Sequence, residues 1–127
     1  MASIVMAMVC VAERRRACGF YTDVLGPVLG LTLMESDDFG DQFAGEAGIV
    51  RLTAIPGWQA GAHPVLGWQV ADAAASAAAL AARGVVMQIY DGMGQDEAGL
   101  WTAPDGKTKL AWFHDSEGNL LSVGEQH

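Results

Sequence analysis

Ala111-Trp112-Phe113-His114-Asp115-Ser116-Glu117-Gly118-Asn119-Leu120-Leu121-Ser122-Val123 places two apolar runs on either side of a polar Asp-Ser-Glu-Gly-Asn segment. Gly118 and Asn119 are residue types that tolerate the positive φ of a tight turn, so this stretch predicts a β-hairpin at the end of the chain. Its counterpart near the start is Phe20-Tyr21-Thr22-Asp23-Val24-Leu25-Gly26. There an aromatic pair closes a helix and Leu-Gly ends it.

Working outward from these two anchors, residues 4–11 form an unbroken apolar run short enough to be a buried strand. Residues 13–24 read as a helix stopped by Gly26-Pro27, with Arg14, Arg15 and Arg16 fanned over its solvated side. Strands are expected at 28–35, 39–44 and 48–55, and a linker at 56–62 carries Trp58. The pattern then restarts. A strand is expected at 65–70, Asp72 caps a helix over 73–83 closed by Gly84, and further strands are expected at 85–90, 107–114 and 119–123, with residues 124–127 frayed. Shifting the first half by 59 residues lays Met6 on Val65 and Glu13 on Asp72, an internal repeat of pattern. Residues 91–106 carry Gly92, Gly94, Gly99, Pro104 and Gly106, which interrupt strand character, with Leu100 and Trp101 expected exposed; a flap over a pocket and an ordinary long loop both fit.

The chain of 127 residues is 51% hydrophobic and 17% charged, which suits one compact domain and argues against disorder. No apolar run reaches the ~20 residues that span a bilayer, and basic residues follow the first apolar run where a signal peptide would be cleaved, so a cytoplasmic protein is expected. A net charge of −8 disfavours nucleic acid and anionic membranes as partners. It would attract a cationic ligand or simply aid solubility. Cys10 and Cys18 lack the spacing of a metal or redox motif and read as reduced, packed thiols.

The two anchor segments resemble the vicinal-oxygen-chelate superfamily, which includes glyoxalase I, bleomycin-resistance proteins and extradiol dioxygenases: they match its FY-x-x-x-LG helix end and its F-x-D-P-x-G-N closing turn, with Ser116 in the proline position. The resemblance implies an α+β fold of two tandem βαβββ modules, residues 1–55 and 63–127, that form a cleft within a single domain, 1–127. It also implies metal ligands on the inward faces of the first and last strands. Here those positions fall on Met6, Val65, Ser122 and residues 51–53, none of which supplies an imidazole or carboxylate, so no metal and no cofactor is expected. His63, two residues before Val65, is either a ligand at a displaced site or packed beside Pro64, and His114 lies at the mouth of the closing turn.

Period-2 alternation places Met6, Met8 and Cys10, Val65, Gly67 and Gln69, and Ser122 on the cleft side, a soft, mostly apolar lining. Of four tryptophans, Trp68 and Trp112 are expected in the core, while Trp58 and Trp101 are available to stack on a planar or cationic compound. The expected ligand-binding set is therefore Met6, Met8, Trp58, Val65, Gln69, Trp101 and Ser122. The resemblance to bleomycin-resistance proteins implies a homodimer that sequesters a small organic ligand, drawn by Asp37, Asp38, Asp41 and Glu46 and by Asp91, Asp96 and Glu97. The alternatives are an enzyme of the same superfamily, a lyase, isomerase or dioxygenase, with a displaced or absent metal, and a ligand-free interaction module. An enzyme would need a convergent base or Lewis acid, and the expected lining holds neither.

Overall fold

The computed structural model describes residues 3–126; His127 lies outside them. The chain falls into two compact units, one running to Gly61 and including Ser116–Gly118, the other taking Ala62–Asp115 and the residues from Asn119 onward.

In the first unit β1 (Val5–Val11) leads into α1 (Arg14–Phe20), and β2 (Thr32–Ser36), β3 (Gly40–Ala44) and β4 (Gly48–Ala54) follow. The sheet order is β1-β4-β3-β2, with β1 parallel to β4 and the other pairs antiparallel. Alternation sends Val9, Val11, Phe43, Val50 and Leu52 to one face, where they bury against Ala17, Tyr21 and Leu25.

The helix does not stop at Gly26-Pro27 as expected. Pro27 has no N–H and its ring would strike the carbonyl one α-turn back. The chain instead widens into a π-helical turn (Tyr21–Leu25), in which Gly26 N–H donates to Tyr21 O, and continues as α2 (Gly26–Leu29). The real stop is Gly30, at φ 74°, with the N–H groups of Gly30 and Leu31 both donating to Gly26 O. Residues 28 and 29, expected in a strand, are therefore helical.

The second unit repeats the wiring: β5 (Pro64–Gln69), α3 (Ala73–Ala82), β6 (Trp101–Thr102), β7 (Thr108–His114) and β8 (Leu120–Gln126), in sheet order β5-β8-β7-β6. Asp72 caps α3 through Ala75 N–H at 3.0 Å, and Ala73, Ala77 and Leu80 bury against the second sheet's core residues, which include Ala111, Phe113, Leu121 and Val123. Gly124–Gln126 belong to β8 and are not frayed.

The strand expected at 85–90 does not form. Only Met87 bridges to Phe113, and the same edge of β7 is taken up again by Trp101 opposite Leu110. The edge strand is thus split by residues 89–100. This insertion explains why the repeat offset, 59 residues at the first strand and helix, is 72 between Gly48 and Leu120. Trp101 lies in a strand and Leu100 is buried, where both were expected exposed.

The closing hairpin forms as expected with a refinement. Only Gly118 takes positive φ (84°). Asn119 serves differently: its backbone N–H and side-chain amide donate to the two oxygens of Asp115 at 2.9 and 3.0 Å.

Candidate functional site

In the first unit the sheet face opposite α1 carries Met6, Met8 and Cys10, paired in register with Ile49, Arg51 and Thr53 of β4. Met6 is 42% and Met8 63% exposed, a soft apolar surface as the alternation predicts. The sequence reading missed the charge at its centre. The Arg51 side chain is only 14% exposed, donates to Gln42 Oε1 at 3.2 Å, and forms a two-pronged pair with Asp37 at 2.9 Å to each oxygen. The Arg51 guanidinium, with the N–H groups of Phe39 and Gly40, holds the Asp37 carboxyl far below the usual carboxylate range. Trp58 follows β4 after a turn in which its N–H donates to Ile55 O; its indole N–H and the Thr53 hydroxyl are buried and find no hydrogen-bond partner among the described residues.

On the helix side of the same unit, a groove of about 490 Å³ is lined by Arg14, Arg15, Cys18, Gly19, Thr22, Asp23 and Asp41. The arginines do not simply fan into solvent. Arg14 pairs with Asp41 at 3.1 Å and also donates to the carbonyls of Asp37 and Gly40, while Arg16 pairs with Glu117 at 2.8 Å. Asp37 and Asp41, expected to attract a cation, are thus already neutralised by arginines. Burial and the neighbouring Asp41 push the Cys18 thiol up, away from a reactive thiolate.

The second unit's face opposite α3 is built differently. Gly67 pairs with Ser122 and Gln69 with Gly124, and on the next strand Trp112 and Leu110 lie opposite Ser122 and Gly124. A cavity of about 170 Å³ opens over this surface, lined by Gly67, Gln69, Thr108, Leu110, Ser122 and Gly124 among others. A Cβ added at Gly67 would stand 2.6 Å from Ser122 Oγ, so the floor is low because this glycine is there.

Beside the floor stands a wall of three rings. Tyr90 meets Trp112 edge-on at 5.6 Å and 82°, and Trp101 meets it at 6.4 Å and 47°. Trp112 is therefore not the core residue expected, because its neighbours Ala111 and Phe113 take the buried face. Of the expected ligand residues, this unit gathers Gln69, Ser122 and Trp101 around one surface, with half-exposed Val65 at the start of β5. Met6, Met8 and Trp58 belong to the first unit. Tyr90, Trp112, Leu110 and Gly124 were missed; the alternation within residues 108–114 held the signal for Trp112, which shares parity with Leu110 rather than with Phe113.

A divalent metal does not fit the residues expected to hold it: a thioether, an alkyl group, a hydroxyl and the run Arg51–Thr53 are not the imidazoles and carboxylates such an ion needs. Among the described residues no three His, Cys, Asp or Glu side chains gather, and His63 and His114 are exposed.

Solved structures share this architecture over nearly the whole chain. The chain has the glyoxalase/bleomycin-resistance fold. A glyoxalase/bleomycin resistance protein from Albidiferax ferrireducens superposes with a TM-score of 0.71 at 22% identity, covering 98% of this chain and 100% of that one. TnmS3, an antibiotic binding protein from a Streptomyces species, gives 0.67 at 20% identity over 100% and 98%. The fosfomycin resistance protein FosX from Listeria monocytogenes gives 0.72 at 10% identity over 100% and 95%. No protein-family model and no curated protein sequence matches the chain. Among the described residues no helix is long and apolar enough to cross a membrane.

Proposed function

We propose that this protein binds a small, flat organic molecule, favouring a cation, and sequesters it without a metal and without chemistry. The observation that carries this reading is the low floor of Gly67, Ser122 and Gly124 beside the Tyr90–Trp112–Trp101 wall: a planar ring laid on that floor would stack against indole. Gln69 and Ser122 offer hydrogen bonds at its edge. The net charge of −8 favours a cationic partner over an anionic one. The solved antibiotic binding protein on the same fold is in keeping with such a role. Val65, on the same strand as Gln69, is part of the proposed ligand-binding set; Met6, Met8 and Trp58, also proposed to bind ligand, belong to the first unit.

The protein acts in the cytoplasm as a homodimer. Support for self-association comes from the exposed Ile4, Val5, Met6 and Met8 along the edge strand β1, an apolar row that a second copy would cover. Light scattering reads the mass directly.

Titration with proflavine, a planar cation, and anthraquinone-2-sulfonate, a planar anion, followed by tryptophan fluorescence, tests the ligand. Saturable quenching by proflavine, weaker for the anion and reduced about tenfold in affinity by Trp112→Ala, is expected. No saturable quenching by either compound would overturn the reading. So would stoichiometric metal in protein purified without chelator, or a large stabilisation by Ni, Zn, Mn, Fe or Co ions, which would favour the enzyme alternative.

A further inference from the structure

The insertion at residues 89–100 splits the edge strand of the second unit, yet it is closely tied together. One side chain makes most of the ties. Gln95 Oε1 accepts the backbone N–H of Tyr90 at 2.7 Å, and its Nε2 donates to the carbonyls of Gln88 and Gly99, both at 2.9 Å. Two of these groups, Tyr90 N–H and the Gln88 carbonyl, are ones that a strand continuing past Met87 would have satisfied through its ladder. Gln88 N–H is itself bonded to Trp112 O at 2.7 Å, so one end of the tie is fixed to β7 beside the central indole.

At the other end, Gly99 is buried at φ 84°, and a Cβ there would stand 2.6 Å from Met87 Cβ, so the returning chain passes directly against the departing one. Asp96 completes the return: its Oδ1 accepts from Ala98 and Leu100 N–H at 2.9 Å, and its own N–H donates to Leu100 O. Leu100 then delivers Trp101 into β6.

We infer that Gln95 is a positioning residue that sets both Tyr90 and Trp101 against Trp112, so that the aromatic wall is preorganised and not assembled by a closing flap. These three hydrogen bonds of Gln95 all go to backbone groups. It fixes the backbone at Tyr90 directly, and through Gly99 it fixes the segment that leads to Trp101. A ligand meeting this wall loses little affinity to ordering it. The affinity consequence rests on the ligand-binding reading above; the geometric consequence does not.

The test is Gln95→Met, similar in size but unable to make the three bonds, with Gln95→Glu as a second variant that keeps the acceptor for Tyr90 N–H and turns an anion towards two carbonyls. Three quantities are read: the ring-current shift of the Tyr90 aromatic protons by NMR, proflavine affinity, and Tm. Leu80→Ala, buried on the helix side of the sheet whereas the wall stands on the face opposite α3, serves as the purely destabilising control. Both Gln95 variants are expected to lose most of the ring-current shift and about tenfold in proflavine affinity, while Leu80→Ala lowers Tm and keeps both. A Gln95→Met protein with lowered Tm but unchanged ring-current shift would overturn the inference, as would equal losses in Leu80→Ala. Should the unaltered protein fail to bind proflavine, the ligand reading falls, and the ring-current shift alone still decides the role of Gln95.

Discussion

Glu117 shows how much one side chain can decide. It sits in the closing turn, yet its Oε1 accepts the N–H groups of Ala12 and Glu13 at 3.1 and 2.7 Å, over a hundred positions earlier, where α1 begins. Its Oε2 takes Arg16 and the Ser116 hydroxyl. The helix start thus receives a carboxylate for its open donors from a distant turn, since Glu13 at the cap position makes no side-chain bond of its own. Glu117→Ala is expected to cost about 2 kcal/mol, the worth of an N-cap and of charge-assisted bonds left unmade, measured by chemical denaturation. Glu125 does the same for α3 by accepting Ala73 N–H at 3.0 Å. Neither role was legible in the sequence, where Glu117 is part of a polar turn and Glu125 part of a stretch expected to fray.

Among the elements, strand positions were more legible than helix ends. Apolar runs and the turn residues between them located β1, β3, β4, β5, β7 and β8 to within a residue or two at most boundaries, because a buried sheet face and the turns that bound it leave local marks in the sequence. The helix across Pro27 and the split edge at 89–100 were misread. In the first, a π-helical turn absorbs the proline; in the second, the Gln95 side chain replaces a ladder. Close backbone approach also sets the strand pairing: a Cβ at Gly40, the first residue of β3, would lie 1.9 Å from Leu52 O across the ladder. Gly40→Ala is therefore expected to destabilise by at least about 3 kcal/mol, with loss of amide protection in β3 as the diagnostic in hydrogen exchange. Asp72→Ala removes the N-cap side chain of α3, leaving Glu125 on Ala73 N–H, and is expected to cost about 1 kcal/mol.

For the molecule as a whole, acid is the condition its electrostatics cannot withstand. Burial alone would raise the Asp41 and Glu117 carboxyls, but Arg14 and Ser36 at the first, and Arg16, Glu13 N–H and Ser116 at the second, outweigh it and hold both below their ordinary values; Arg51 does the same for Asp37. A carboxyl lowered in the folded state adds stability that is fully present above its unfolded value and lost as pH falls through its folded one. Stability is thus expected to be flat near neutrality and to decline below about pH 4.5, and Glu117→Gln, which cannot titrate, to decline less steeply in thermal denaturation from pH 6 to pH 3. The wiring of two like units could be read from residues alone, because punctuation and periodicity are local and recur at an offset of 59. Tertiary structure alone decided which arginine meets which aspartate, that Trp112 turns from the core into a wall with Tyr90 and Trp101, and that Glu117 reaches α1. The physical reason is that each of these joins positions distant in sequence, and their meeting depends on strand register and chain return, which no local pattern encodes.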